Sequence, residues 1–213
     1  ETGNMSFIEA VEALAREAGM AMPARDPEAA AKADRRTQLV AVVEAAVQVY
    51  RLQLRTAGAQ TARDYLDRRR LSQATLDRWD IGFAPDARQF LIGALGAKGI
   101  SLDMMEAAGL VARADDGSPY DRFRGRILFP IRDARGRAIS FGGRAMDPNA
   151  RAKYLNGPET EIFDKGRTLF NIAPAREAAG KGQPLIVAEG YMDVIALVDA
   201  GFGAAVAPLG TAV

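Results

Sequence analysis

The sequence predicts an α+β fold, in which a helical part is followed by paired strands and then by one strand–helix–strand unit. Three observations carry this prediction. Apolar residues recur at helical spacing through most of the first half of the chain. Two β-rich runs joined by a tight turn follow after about Asp121. Further on, two short apolar runs flank a helical segment, the pattern of a parallel βαβ unit.

The first half is predicted to be helical with short connections. Ser6-Phe7-Ile8-Glu9 has the pattern of a capping box, and the helix that it begins is expected to stop at Gly19. Residues 19–27 have the composition of a linker. Ser72 and Ser101 are predicted N-caps. Further helices are predicted over residues 34–55, 60–69, from 72, 87–98 and 101–109.

The strands follow with clear turn signals. Residues 126–131 and 137–142 are predicted to pair, and Asp133-Ala134-Arg135-Gly136 forms the turn between them. Pro130 predicts an edge strand or a bulge, because proline donates no backbone hydrogen bond. A further turn is predicted at residues 156–158.

The βαβ unit is predicted from Leu185 onwards. Residues 185–188 have the pattern of a buried parallel strand, residues 191–199 of a helix, and residues 204–207 of the next strand. Glu189 directly follows the first of these strands, at the end where open parallel sheets place their ligands.

The composition limits the kinds of catalytic and metal sites that the chain can contain. The chain of 213 residues is 48% hydrophobic and 26% charged, which predicts a globular protein. It contains no Cys and no His, so disulfides, thiolate or imidazole metal sites and His-based triads are excluded within it. No apolar run reaches the roughly 20 residues of a membrane helix. Any catalysis must therefore use Asp and Glu, helped by Lys, Arg or Tyr.

Charge is unevenly distributed. Residues 122–153 contain nine Arg or Lys and only two acids, although the net charge of the whole chain is +1. Localised positive charge suits a polyanion such as nucleic acid. A solvated, arginine-rich face explains the same composition equally well.

Glu189-Gly190-Tyr191-Met192-Asp193 is the best catalytic candidate. Asp193 lies one helical turn beyond Glu189, so both carboxylates are expected at one mouth and could hold Mg²⁺ through oxygen ligands. Gly190 is expected to let the backbone turn tightly and a ligand approach. The alternative is a glutamate that only complements the helix dipole, and the residues alone favour it.

Three other features have weaker signals. Residues 153–158 and 163–167 place Lys and Arg beside aromatic rings on loops, which suits a nucleic-acid backbone or a triphosphate but also ordinary surface charge. Phe141-Gly142-Gly143-Arg144 could let backbone amides approach a phosphate, or could simply end a strand. Trp79, spaced from Leu76, is predicted as core rather than as a base-stacking platform.

Taken in order, the motifs resemble those of the bacterial DnaG-type primases. The Lys153–Lys165 block followed by the Glu189 block is the most specific part of this resemblance. The matching motifs are Tyr65-Leu-Asp-Arg-Arg69-Arg-Leu-Ser72, Ile81-Gly-Phe-Ala-Pro85, Arg122-Phe-Arg-Gly-Arg126-Ile-Leu-Phe-Pro-Ile131, Phe141-Gly-Gly-Arg144, Lys153-Tyr-Leu-Asn-Gly-Pro-Glu-Thr-Glu-Ile-Phe-Asp-Lys165 and Val187-Ala-Glu-Gly-Tyr-Met-Asp193.

The resemblance implies a domain order and a reaction. Residues 1–27 would be the tail of a zinc-domain segment and its linker, residues 28–180 the helical and mixed N-terminal subdomain of the catalytic core, and residues 181–213 the start of a TOPRIM subdomain. The reaction would be metal-dependent joining of ribonucleoside triphosphates into short RNA primers on a single-stranded DNA template, with Mg²⁺ or Mn²⁺ as the cofactor. The location implied is cytoplasmic, at the replication fork.

The resemblance also implies residue roles. Glu189 would be the TOPRIM glutamate and a metal ligand, and Asp193 the aspartate just beyond it. The template and nucleotide groove would be lined by Arg69, Arg122, Arg126, Arg144, Lys153, Tyr154, Asn156 and Lys165.

Some family features are expected outside this stretch. These are a Cys/His ribbon that binds Zn²⁺, the TOPRIM Asp-x-Asp pair and a C-terminal domain that contacts the replicative helicase. We therefore expect this stretch alone to bind single-stranded DNA weakly and to make no primer. Within it, Arg70 and Gly157 stand where the family usually has Gly and Ser.

Two other functions remain open at this point. A TOPRIM topoisomerase or nuclease would use a similar glutamate, but gives no reason for the Lys153–Lys165 block to precede it. A non-catalytic module that binds single-stranded DNA predicts that Glu189 is dispensable.

Overall fold

The computed structural model describes residues 7–20 and 27–210. The chain divides into two compact units, residues 1–35 and residues 36–213. Within the described ranges, no helix combines the length and the apolar character needed to cross a membrane.

Helix α1 (Phe7–Glu17) matches the first predicted helix. Gly19 follows it with a left-handed φ of 66°, and the Met20 amide donates to the Ala15 carbonyl at 2.8 Å. This pairing satisfies a carbonyl that the helix end would otherwise leave free, so the predicted stop is confirmed. Ser6 of the predicted capping box lies outside the described residues, as does most of the predicted linker.

The predicted helices of the first half are present. Helix α2 begins earlier than predicted, because Pro27 suits the first helical position and the residues after it are good helix formers. The Ser72 and Ser101 side chains accept from the amides of Thr75 and Met104, so both N-caps are confirmed. These helices are α2 (Pro27–Leu54), α3 (Gln60–Arg68), α4 (Gln73–Arg78), α5 (Phe90–Gly96) and α6 (Leu102–Ala107).

The first half also contains short strands that the sequence did not predict. They are β1 (Gly82–Ala84) and the hairpin of β2 (Val111–Arg113) with β3 (Pro119–Asp121). Three residues are too few to show an alternating pattern, which explains the omission. Asp121 ties this hairpin to α5, since its buried carboxylate accepts from the amides of Leu91 at 2.6 Å and Ile92 at 3.1 Å. Burial raises the pKa of that carboxyl.

A four-stranded antiparallel sheet lies at the centre of the second unit, in the order β1-β4-β5-β6. Strands β4 (Arg126–Arg132) and β5 (Ala138–Ala145) pair as predicted, and β6 (Tyr154–Asn156) adds to β5. Pro130 lies beyond the short stretch that pairs with β1 and beside a bulge at residues 131–132. Its predicted edge or bulge position is confirmed.

A second, three-stranded sheet has the order β7-β9-β8. Its strands and helices are β7 (Leu169–Phe170), α7 (Ile172–Gly180), β8 (Ile186–Val187), α8 (Tyr191–Asp199) and β9 (Ala205–Pro208). Strands β8 and β9 are parallel and α8 connects them, which confirms the predicted βαβ unit. The sequence predicted neither β7 nor α7.

The burial predicted for residues 185–188 is wrong. Strand β8 lies at the edge of its sheet, and Leu185 and Val187 are 63% and 67% exposed. The buried strand is β9, which lies between its two neighbours. An apolar run of four residues does not distinguish an edge strand from a central one.

The structure accommodates both departures from the family pattern. Arg70 adopts the left-handed conformation, with φ of 59°, directly after α3, so the backbone keeps the shape that glycine would take there. A non-glycine residue pays about 1–2 kcal/mol for this conformation. At Gly157, an added Cβ would meet Oγ of Ser140, which would have to rotate away to admit a serine there.

Candidate active site

A cavity of about 420 Å³ opens beside the end of β8. Five of the predicted site residues line it, and they come from segments far apart in sequence: Arg69, Tyr154, Asn156, Glu189 and Asp193. The remaining lining comprises Tyr65, Gly190, Tyr191, Met192, Pro208, Leu209 and Gly210.

The two carboxylates stand on the turn between β8 and α8. Glu189 follows the last β8 pairing, in which the Ala188 amide donates to the Val206 carbonyl at 2.8 Å, and Asp193 lies in the first turn of α8. Both carboxylates are close to the helix N-terminus, which favours negative charge. Gly190 lies in a bend at residues 189–190 and is the N-cap of α8, with an extended φ of −150° that does not require glycine.

The donor set suits a hard cation in type. Glu189 and Asp193 offer only oxygen atoms, the ligands that Mg²⁺ prefers, and the chain has no Cys or His to favour a softer metal. Among residues 7–20 and 27–210, no group of three or more potential metal ligands comes together. The described chain therefore supplies two carboxylates toward such a site.

Tyr65 and Arg69 form a basic and aromatic part of the lining, and Arg144, which is not in the lining itself, contacts the Tyr65 ring. The guanidinium of Arg144 lies 3.8 Å from the ring centre of Tyr65, and that of Arg69 lies 5.4 Å from the same ring. Neither arginine forms an ion pair with any residue that the structure describes. Tyr154, opposite Arg144 in the β5–β6 pairing, is 46% exposed. The cavity thus combines carboxylates with uncompensated positive charge.

Tyr191 joins the carboxylate turn to the central sheet. Its ring stacks on Phe129 at 5.3 Å and meets the edge of Phe170 at 4.8 Å. Its hydroxyl donates to Oδ1 of Asn156, whose Nδ2 donates to the Leu209 carbonyl. Burial raises the pKa of the Tyr191 phenol, so the hydroxyl stays protonated as this donation requires.

This junction changes the interpretation of two sequence features. Asn156 lines the cavity as expected, but both polar atoms of its amide already bond to Tyr191 and Leu209. At Gly142, an added Cβ would lie 2.6 Å from Cε2 of Tyr191. The face of the Gly-Gly pair that could have received a phosphate is therefore covered by an aromatic ring.

The other five predicted site residues lie outside the lining of this cavity: Arg122, Arg126, Arg144, Lys153 and Lys165. Arg126 donates to the Ala152 carbonyl at 3.0 Å, and burial lowers the pKa of the guanidinium of both Arg122 and Arg126. Lys153 is exposed, and Lys165 begins a short 3-10 helix. Their roles in binding nucleic acid or nucleotide stay predictions.

The sequence did not single out Tyr65 or Tyr191 as site residues. Both have the pattern of helix core, and both are buried. A signal for Tyr65 was available, because Arg69 follows it by four residues on the same helix face. For Tyr191 the only sign was its place between the two carboxylates.

Comparison with known families agrees with this arrangement. Residues 183–213 match the Toprim domain, which contains the carboxylate turn, so the chain falls in the class of proteins that carry this domain. Residues 49–176, more than half of the chain, match the family described as "DNA primase catalytic core, N-terminal domain".

Curated relatives agree as well. The DNA primase of Pseudomonas putida is 44% identical over 98% of this chain, and that of Deinococcus radiodurans is 41% identical over 98%. The chain therefore belongs to the bacterial DnaG-type DNA primase family. It spans 32% and 35% of the length of these two relatives.

Solved structures share the fold. A DnaG primase catalytic domain bound to single-stranded DNA is 41% identical, with a TM-score of 0.77, over 84% of this chain and 56% of that one. The zinc-binding and RNA polymerase domains of Aquifex aeolicus primase are 28% identical, with a TM-score of 0.75, over 99% of this chain and 50% of that one.

Proposed function

We propose that this chain is the part of a primase that binds nucleotide and template during RNA primer synthesis on single-stranded DNA. The observation that carries the proposal is the cavity itself, which gathers Glu189 and Asp193 together with Arg69 and Tyr65, the ring that Arg144 contacts. A triphosphate–metal complex contains a positive metal ion and negative phosphate groups. A site for it therefore needs carboxylates and cationic side chains close together.

Each group has a task in this proposal. Glu189 and Asp193 hold Mg²⁺ or Mn²⁺, which when bound neutralises charge on the reacting phosphates and activates the attacking 3′-hydroxyl. Arg69 and Arg144 receive the phosphate oxygens of the incoming nucleotide, because a planar guanidinium matches their geometry. The exposed ring of Tyr154 is available to stack on a base.

The template is proposed to follow the basic segment 122–153. Its exposed cations are Arg124, Arg135, Arg151 and Lys153, whereas Arg132 is already bonded to Glu44 and Asp80. The single-stranded DNA found with a solved relative supports this part of the proposal. A replicative helicase partner, a zinc ion and a cytoplasmic location stay predictions of the family resemblance.

The experiment is Glu189→Gln in the full-length natural protein, with Glu177→Gln as the matched control. Both changes remove one negative charge, but Glu177 is an exposed residue of α7 paired with Lys181. Loss of a group that acts on the transition state costs about 10²–10³-fold in rate. We expect a loss of primer synthesis of at least that size for Glu189→Gln, with unchanged melting temperature, and none for the control.

The same experiment separates the alternatives. Primer synthesis within a few-fold of wild type would refute the catalytic role and favour a non-catalytic module that binds single-stranded DNA. A topoisomerase or nuclease would cleave DNA rather than extend RNA, and the match of residues 49–176 to the primase core argues against it. The 213-residue chain alone is expected to make no primer, because its described residues gather only two carboxylates.

A further inference from the structure

Tyr65 is the common contact of the two arginines proposed to receive phosphate. It lies on α3, is 9% exposed and lines the cavity. Arg69 caps the same helix one turn later, whereas Arg144 comes from β5 in the central sheet. Two cations from separate elements thus share one aromatic ring, at 5.4 Å and 3.8 Å from its centre.

The ring adds to the few contacts that otherwise hold these side chains, one of which places Nη1 of Arg144 at 3.9 Å from Sδ of Met146. Arg144 makes a bond of 3.0 Å to the Ala145 carbonyl, but its buried Nε has no hydrogen-bond partner among the described residues. Arg69 is exposed. Without the ring, both long side chains would regain rotamer freedom, and their like charges would favour separation.

We infer that Tyr65 is a positioning residue, whose ring holds Arg69 and Arg144 where the nucleotide phosphates enter; this inference rests on the proposed function. Tyr65 acts through the arginines and not on the reacting atoms. Its loss therefore weakens nucleotide binding, so the KM for ribonucleoside triphosphates rises while kcat changes little. Affinity for the DNA template is unaffected, because the exposed cations of the basic segment do not depend on this ring.

The experiment compares Tyr65→Leu with Tyr65→Phe in primer synthesis by the full-length protein, beside Mg²⁺–ATP binding by titration calorimetry. Leucine removes the ring and phenylalanine keeps it. A cation–π contact at a partly desolvated site corresponds to roughly 2- to 30-fold in affinity. We expect the KM of Tyr65→Leu to rise within that range and that of Tyr65→Phe to return toward the wild-type value.

Arg144→Lys decides the question if Tyr65→Leu does not fold. Lysine keeps the charge but lacks the planar guanidinium that stacks on the ring, so KM should rise, although by less than in Arg144→Met, which also removes the charge. Wild-type KM for Arg144→Lys would overturn the role of the ring, as would an unchanged KM for a folded Tyr65→Leu.

The arginine variants separate this inference from the proposed function. If Arg144→Met and Arg69→Met raise KM but Tyr65→Leu does not, the phosphate contacts stand and only the positioning role fails. If neither arginine variant raises KM, the phosphate assignment within the proposed function fails, and the inference fails with it.

Discussion

Gly142 is the position at which one added methyl group tests the contact between the central sheet and the carboxylate turn. An alanine Cβ there would lie 2.6 Å from Cε2 of Tyr191 and closer still to Cζ and the hydroxyl oxygen. Ordinary contacts are 3.4–4 Å, so the ring or the strand must move by about 1 Å. The ring has little freedom, since it is stacked on Phe129, packed against Phe170 and bonded to Asn156.

We therefore expect Gly142→Ala to separate β5 from α8. Overpacking of this kind costs about 1–3 kcal/mol of unfolding free energy. In a chain of this size each kcal/mol lowers the melting temperature by roughly 2–4 °C. Primer synthesis should fall as well, because Glu189 and Asp193 stand on the displaced turn.

Urea unfolding followed by the fluorescence of Trp79, the single Trp of the chain, measures the effect. Trp79 stacks on Phe170 at 5.3 Å and so reports on this region. Gly93→Ala is the matched control: an added Cβ meets no atom within 4 Å there, and alanine favours a helix by up to about 1 kcal/mol. Combining Gly142→Ala with Tyr191→Leu should cost less than the two separate effects together. Wild-type stability of Gly142→Ala, or strict additivity in the double variant, would refute the reasoning.

Two further predictions concern the basic residues. Lys153→Ala and Lys165→Ala should each weaken template or nucleotide use while changing stability by no more than about 0.5 kcal/mol; variants that melt many degrees lower but keep normal activity would show that these lysines are structural. Binding of a fluorescent single-stranded oligonucleotide should weaken with salt at a log–log slope of about −2 to −3.5, for three to five phosphate contacts at roughly 0.7 each, with little sequence preference. The four exposed cations of residues 122–153 agree with that number of contacts, and a salt-independent affinity would rule the basic segment out.

The elements that the sequence predicted well are those with clear turn or capping signals in the sequence. Helix α8 has its predicted bounds because an acidic, glycine-containing turn precedes it and Gly201, left-handed at φ of 99°, follows it. The β4–β5 hairpin follows from its Asp-Ala-Arg-Gly turn, in which Asp133 accepts from the amides of Arg135 and Arg137.

What the sequence did not predict depends partly on long-range packing. Strand β1 is three residues long and exists because the distant strand β4 pairs with it, whereas β2 and β3 form a local hairpin too short to show an alternating pattern. The exposure of Val187 depends on sheet order, which a local pattern does not contain.

The candidate site divides in the same way. Glu189 and Asp193 could be named as candidates because a carboxylate at the end of a parallel strand is a local signal, although their roles came from the family resemblance. The convergence of Arg69 and Arg144 on Tyr65 could not, because α3 and β5 lie far apart in the sequence and meet only in the fold.

The junction at Tyr191 bears on how such proteins can be recombined. A sequence boundary near residue 180 suggests two exchangeable modules, yet β9 pairs with β7 at Leu169–Phe170 upstream of it. Tyr191 likewise fills the space that Gly142 leaves open and bonds to Asn156. A chimera joined at this boundary would take Tyr191 from one protein and Gly142 and Asn156, which accommodate its ring, from the other. We therefore expect a functional chimera of two relatives only where the glycine, the asparagine and the tyrosine are all present in the combined chain.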